Sequence, residues 1–376
     1  MTLETADTIR SDVLITGGGT GGHVYPALAV ADELVRRGHS PARVRFVGAR
    51  RGLEATAVPA AGYGIDLLPG RGIRRSLSPR ALLANVGAIV GLGGAFLRAI
   101  RLVGRRRPGV VLGVGGYASA PCVVAARLRR VPAVVHEQNS APGIVNRLAV
   151  CLGARAASSL PDTALRGAVL TGNPVRAEIA AVIRAPVTAP ALIVVVGGSL
   201  GARRLNDAVL DLYDHWRERG DVAVLHVAGA RDLDRCTARL GSLRAPTDAL
   251  GYTLIGYEDD MPGAYQRASV FVCRAGAVTC AELTVTGTPA ILVPLPGAPA
   301  DHQTGNANAL AAGGAGVVIA DGELDGDRLA RELAALLGEP GRLDTMSDAA
   351  RALGRPDAAA RVADLVEASA ARGQRS

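Results

Sequence analysis

The 376-residue chain contains no lysine, so all 42 of its basic residues are arginine. A Walker-type phosphate loop and Schiff-base chemistry each need an amine at a fixed position, and both are excluded. Aromatic residues make up only 3% of the chain, which argues against single-stranded nucleic acid, whose bases stack on aromatic platforms. The five cysteines, Cys122, Cys151, Cys236, Cys273 and Cys280, form no close C-x-x-C pair. They are read as buried thiols of a reducing compartment, with neither a disulfide framework nor a zinc site. No Asp-x-Asp pair stands at the end of a strand, so no metal and no cofactor are expected. The first residues carry acidic groups and run directly into a strand, so a secretory signal is not expected and the chain is placed inside the cell. The uncharged run 81–97 is shorter than the ~20 apolar residues that span a bilayer.

What is present is ample material for folded cores: 49% hydrophobic and 20% charged residues. The length predicts two domains. A net charge of +8 is compatible with nucleic acid, anionic lipid or phosphorylated ligands and does not choose among them. The abundance of Arg, Ala and Gly is also what a GC-rich genome produces.

Residues 13–16 form a short apolar run that stops at glycines, and residues 26–37 then show helical spacing, with Pro26 as the first helical residue and Gly38 as the stop. Further strands are predicted at 43–48, 110–114 and 133–136, each followed by helical periodicity. After Gly172-Asn173-Pro174 and an aperiodic stretch with two prolines the scheme restarts, with strands at 191–196, 222–227, 253–256, 270–273 and 290–293. Such alternation implies parallel sheets covered by helices on both faces. The expected organisation is a flexible segment 1–11, a first domain 12–174, a linker 175–190, a second domain 191–355, and a C-terminal helix and tail 356–376. The fold class is α/β, with two doubly wound, Rossmann-like domains facing across a cleft.

Gly17-Gly18-Gly19-Thr20-Gly21-Gly22-His23 follows a strand and opens a helix. Glycines there admit a ligand close to the backbone, and a helix N-terminus favours negative charge. The string also fits G-x-G-x-x-G, the dinucleotide fingerprint. An NAD enzyme needs an acid at the end of the second strand, where this chain has Gly48-Ala49-Arg50-Arg51. NAD is thereby disfavoured, while Arg50 or Arg51 leaves NADP open. His23 is placed just before the helix and is a candidate for acid–base work. Gly115-Gly116-Tyr117-Ala118-Ser119 and His136-Glu137-Gln138-Asn139 also come directly after strands, where polar clusters are unlike core.

Seven strings, GGGTGGHVYPALA, GGYASAP, HEQNSAPG, TGNPVR, GGSLGAR, CRAGAVTCAE and DHQTGNAN, occur in this order over about residues 12 to 320. In order and spacing they resemble the MurG family of undecaprenyl-diphospho-muramoylpentapeptide N-acetylglucosaminyltransferases, which have the GT-B fold. The resemblance implies transfer of N-acetylglucosamine from UDP-N-acetylglucosamine to the muramoyl 4-hydroxyl of membrane-borne lipid I, at the cytoplasmic face of the plasma membrane. It implies a donor site in the second domain, with Ser199 near the diphosphate and Arg176 also in the donor site. Glu282 would accept both ribose hydroxyls, since an ionised carboxylate offers paired acceptors to a vicinal diol. Ala277, Val278, Thr279, Cys280, Ala281 and Glu282 would open a helix whose amides face the phosphates in place of a metal. Gln303 would read sugar hydroxyls. From the first domain Thr20, Gly21, Gly22 and Asn139 would reach the donor sugar, Tyr117 and Glu137 would serve the acceptor, and His23 would be the base. Leu200, Ala275 and Thr304 stand where members often have Gln, Ser and Gln, which touches sugar selectivity and leaves the loops in place.

The run 81–97 is flanked by Arg71, Arg74, Arg75 and Arg80 on one side and by Arg98, Arg101 and Arg105 to Arg107 on the other. A helix here either lies on an anionic bilayer surface or is buried in the first domain. Three other readings stay open: a UDP-sugar epimerase, an NADP oxidoreductase, and a non-catalytic basic protein bound to membrane or nucleic acid.

Overall fold

The computed structural model describes residues 12–69, 79–116, 118–198 and 202–373, with the side chains of 79–90 and 92 left aside. The chain divides into two compact units, Met1–Arg176 with Pro356–Ser376, and Ala177–Arg355.

The first unit holds a sheet of seven strands: β1 (Val13–Thr16), β2 (Val44–Ala49), β3 (Gly64–Leu68), β4 (Val110–Gly113), β5 (Ala133–Glu137), β6 (Arg155–Ser158) and β7 (Val169–Leu170). Their order is β3-β2-β1-β4-β5-β6-β7, and every pairing is parallel. Continuous apolar strands fit a sheet buried on both faces, and β1 demonstrates it. Val13 and Ile15 pack with Leu28 and Leu34 of the helix Gly21–Arg36 and with Val362 and Val366 of the helix Ala358–Gly373. The intervening Leu14 packs on the opposite face with Ala95, Ala99 and Cys122.

The second unit holds six strands: β8 (Ala191–Val196), β9 (Val222–Val227), β10 (Gly251–Ile255), β11 (Val270–Cys273), β12 (Ala290–Leu292) and β13 (Gly316–Val318). They are again all parallel, in the order β10-β9-β8-β11-β12-β13. Alternation recurs on β8: Ile193 and Val195 face Leu205 and Val209, and Val194 faces Tyr265 and Leu283. In both units the order reverses beside the first strand, between β1 and β4 and between β8 and β11. Ligands of open parallel sheets bind at the carboxyl ends of the strands at such a reversal.

Three sequence expectations need correction. The first helix starts at Gly21, and Pro26 lies inside it. Glycine's weak helix propensity masked the first turn, although Pro26 costs the helix only the N–H that would close on the carbonyl of Gly22. His23 is therefore in the first turn of the helix, not ahead of it. The stretch 175–190 is not a free connection. It carries the short helix Ala177–Ala180, it fully buries Ile179 in the second unit's core, and it buries Arg184. Cys151 is exposed, whereas the other four cysteines are buried.

Candidate functional site

In the first unit the loops after β1 and β4 press backbone on backbone. A Cβ on Gly17 would lie 2.4 Å from Val114 Cγ2, and one on Gly116, at φ 82°, would lie 2.3 Å from the Gly18 carbonyl oxygen. Only glycine fits at either position. Gly115 allows a similar approach by His23, whose Nε2 would be 2.9 Å from an added Cβ, so the imidazole lies flat against the β4 loop.

The loop after β5 is bound to the same place. Gln138 is buried and donates through Nε2 to the Val114 carbonyl at 2.9 Å. Glu137 is turned into its own loop, where its carboxylate accepts from Asn139 N at 3.1 Å, Gly143 N at 2.9 Å and Asn146 Nδ2 at 2.8 Å. It shapes the turn that presents Asn139. His136 is fully buried with Nε2 2.9 Å from the Gly172 carbonyl, and burial, the largest influence, holds its basicity below the ordinary histidine value. A histidine so placed stays neutral near pH 7.

Thr20 is the N-cap of the helix Gly21–Arg36 by backbone conformation, yet its side chain makes no capping bond. His23 N and Val24 N both return to the Thr20 carbonyl, at 3.1 and 3.2 Å, and Thr20 itself is exposed at the head of the helix. Arg176, expected in the donor site, belongs to this unit, with its guanidinium 5.1 Å from the centre of the Tyr25 ring. That ring edge in turn lies 3.0 Å from where a Cβ on Gly21 would be. Glycine loop, ring and guanidinium thus form one stack, a cation–π contact of about 0.5–2 kcal/mol.

One residue of this site was missed in the sequence. Glu54, 2% exposed, accepts from Gly19 N at 2.7 Å and from Ala49 N at 2.8 Å. Hydrogen bonds to a charged acceptor are worth about 1.5–3 kcal/mol each, so this carboxylate ties the loop after β1 to the end of β2. It also answers the NADP reading, because the Gly19 amide that would meet a pyrophosphate is already held by an internal anion. The legible signal was the pair Gly48 and Gly52 flanking a lone acid.

In the second unit β11 ends at Cys273, and the helix Ala277–Thr286 starts after Gly276 with no acid in its first turn and no capping side chain. Its first amides are open to an anion. Glu282 lies on this helix, 7% exposed, with Oε2 accepting from the Tyr265 hydroxyl at 2.9 Å. Arg274 braces the loop by an ion pair with Asp321 at 2.7 Å and bonds to the carbonyls of Val293 and Pro294, both at 3.2 Å. Asn306 donates to the Ala275 carbonyl at 3.1 Å, which brings the DHQTGNAN segment onto the same loop. Gln303 Oε1 accepts from Leu295 N at 2.9 Å, and Thr304 bonds Asp301, which with Ala300 adopts left-handed backbone. Burial pushes the Cys280 thiol up to about 12 and the Cys273 thiol well above its ordinary value, so neither is a nucleophile.

Each unit therefore collects its expected residues at its own sheet reversal: Thr20, Gly21, Gly22, His23, Glu137, Asn139 and Arg176 in the first, Ala277 to Glu282 and Gln303 in the second. Tyr117, Ser199 and Leu200 lie outside the described residues. Among the described residues no group of three or more His, Cys, Asp or Glu is arranged to hold a metal ion, and no helix is long and apolar enough to cross a membrane.

The N-terminal domain of glycosyltransferase family 28 matches residues 13–158, and the C-terminal domain of that family matches residues 192–362. A UDP-N-acetylglucosamine--N-acetylmuramyl-(pentapeptide) pyrophosphoryl-undecaprenol N-acetylglucosamine transferase of Alkalilimnicola ehrlichii is 44% identical, over 94% of this chain and 97% of the relative. The enzyme of the same name from Syntrophotalea carbinolica is 42% identical, over 93% and 96%. The crystal structure of Acinetobacter baumannii MurG superposes with a TM-score of 0.76 at 28% identity, over 95% of this chain and 99% of that one. Two glycine-edged parallel sheets and matches along nearly the whole length lead to one assignment: the chain belongs to the MurG family within glycosyltransferase family 28 and is a glycosyltransferase of the GT-B fold.

Proposed function

We propose that the chain transfers N-acetylglucosamine from UDP-N-acetylglucosamine to the muramoyl 4-hydroxyl of undecaprenyl-linked lipid I, with inversion and without a metal ion. The observation that carries this reading is the pairing of buried Glu282 with an uncapped helix start at Gly276. A uridine diphosphate needs both, a carboxylate for its vicinal hydroxyls and amides for its phosphates.

As the sugar C1–O bond breaks, charge collects on the leaving diphosphate, where the helix dipole and the first amides oppose it. The acceptor oxygen bonds to C1 from the opposite face and surrenders its proton. His23 is the base in this scheme, because an imidazole nitrogen can accept a proton and this one lies at the glycine-lined sheet edge. Thr20, Gly21, Gly22, Asn139 and Gln303 contact the donor sugar, Ser199 serves the diphosphate, Arg176 belongs to the donor site, and Tyr117 with the loop braced by Glu137 serves the acceptor. The test is transfer of labelled sugar to lipid I in the presence of a chelator. Product is expected; strict dependence on a divalent ion, or epimerised UDP-sugar formed without acceptor, contradicts the reading.

The same reading gives the helix Pro79–Arg106 a membrane role, at the cytoplasmic face of the plasma membrane. One side of it, Ala95, Ala99, Leu102 and Val103, is buried in the core. The other presents Leu97, 58% exposed, beside a hollow of about 730 Å³ lined by Arg98, Arg101, Arg105 and Arg129. Such a rim suits anionic headgroups. Replacing Arg98 and Arg101 by Ala is expected to weaken cosedimentation with phosphatidylglycerol vesicles about thirtyfold, at ~1 kcal/mol per arginine; unchanged binding removes this face from the membrane.

A further inference from the structure

In dinucleotide-binding sheets the loop after the first strand receives a pyrophosphate, and an acid at the end of the second strand receives a ribose. Here the acid that follows β2 turns back onto the loop itself. The carboxylate of Glu54 accepts from Gly19 N at 2.7 Å and from Ala49 N at 2.8 Å. Three glycines close around it: a Cβ on Gly18, Gly48 or Gly52 would fall 2.2, 2.3 or 2.0 Å from its side-chain atoms. The chain has given up three side chains to seat one buried negative charge.

We propose that Glu54 is the positioning residue of the first unit, a built-in anion that fixes the glycine loop and occupies the seat a ligand phosphate takes in related sheets. Thr20, Gly21, Gly22 and His23 follow Gly19 directly, so holding the Gly19 amide sets the direction of the helix head and of the imidazole that lies on Gly115. This rests on the proposed function, in which the diphosphate is held by the second unit and the reacting hydroxyl is served by the first.

Steady-state sugar transfer by the full chain tests it, with UDP affinity measured by calorimetry on the same samples. Glu54→Gln keeps the shape of the side chain but sets an NH2 group against a backbone amide. Its kcat is expected to fall tenfold or more while its Kd for UDP stays within twofold. Glu54→Asp keeps the charge on a shorter arm and is expected to recover part of that loss. A kcat within twofold of the parent in Glu54→Gln, or a UDP affinity that falls in step with kcat, overturns the role. Should that variant fail to fold, hydrogen exchange on the parent chain decides. The Gly19 amide is expected to exchange at least a hundredfold more slowly than an open-loop amide, and exchange at the open-loop rate overturns the assignment. Failure of the parent chain to bind UDP strikes the donor reading instead, and the exchange result then judges Glu54 by itself.

Discussion

In the first sheet the carboxylate of Glu54 closes on the Gly19 amide; in the second, the helix after β11 begins at Gly276 with neither an acid nor a capping side chain in its first turn. The strand order 3-2-1-4-5-6 is common to both, so the difference lies in how each sheet treats negative charge at its reversal. Both helix heads lack an acid and a capping side chain in the first turn; the first sheet adds an internal anion just ahead of its helix, whereas the second buries a carboxylate, Glu282, farther along the helix itself. A shared strand order therefore carries two differently equipped sheet ends, one in each unit, and the difference resides in a few side chains at strand ends.

The sharpest way to break this division is His23→Ala. If the first unit does chemistry and the second does binding, kcat should fall by about 10²–10⁴ while calorimetry finds UDP affinity unchanged within twofold. Equal turnover dismisses His23 as the base. The mirror experiment is Glu282→Gln, expected to weaken UDP binding about tenfold to a hundredfold, the range for a lost charged hydrogen bond. Undiminished affinity would separate Glu282 from the ribose and leave the second half-site without its anchor.

A smaller effect concerns stability. His226 is buried between Asn206 and Tyr252, with Nε2 3.0 Å from Asn206 Oδ1 and Nδ1 2.8 Å from the Tyr252 hydroxyl. Asn206 Nδ2 donates to the Ala228 carbonyl and to Asp232, which leaves Oδ1 as the acceptor and assigns the imidazole proton to Nε2. Burial, the largest cause, and the nearby Arg235 push the His226 pKa down to about 4. The unfolded chain then binds the proton more readily than the folded one. The stabilising contribution is complete above the ordinary histidine value near 6.5, fades as pH falls, and is gone below about 4, a loss of roughly 3 kcal/mol. Melting temperature is expected to drop between pH 7 and 5, and less so in His226→Asn; a drop of equal size in that variant would assign the acid sensitivity elsewhere.

The continuous apolar runs of β1, β4, β8 and β11 were legible because strands buried on both faces have little freedom in composition. The strands β3, β6, β7 and β13 escaped notice: Gly64–Leu68 and Arg155–Ser158 mix polar with apolar residues, and the other two are very short. Motif positions were legible as loops after strands, which is why His23 and Asn139 could be singled out, whereas Glu282, a helix residue, could be named only through the family resemblance. The inward turn of Glu137 was not, since a carboxylate bound by its own loop has the same sequence as one facing a ligand. Glu54 was hidden for a different reason. Its partners are backbone amides, and backbone carries no letter in the sequence; only the glycines around it record the contact.

The helix Ala358–Gly373 belongs to the unit in which the chain begins, contributing Val362, Ala363 and Val366 to its core. The second unit is thus an insertion within the first, and β1 is separated in sequence from the helix that covers it by the whole of Ala177–Arg355. The first unit therefore closes its core through contacts of very high sequence separation, the slower kind to form, and a chain cut after Arg355 would strip a helical layer from the sheet that carries the glycine loop while sparing the other sheet.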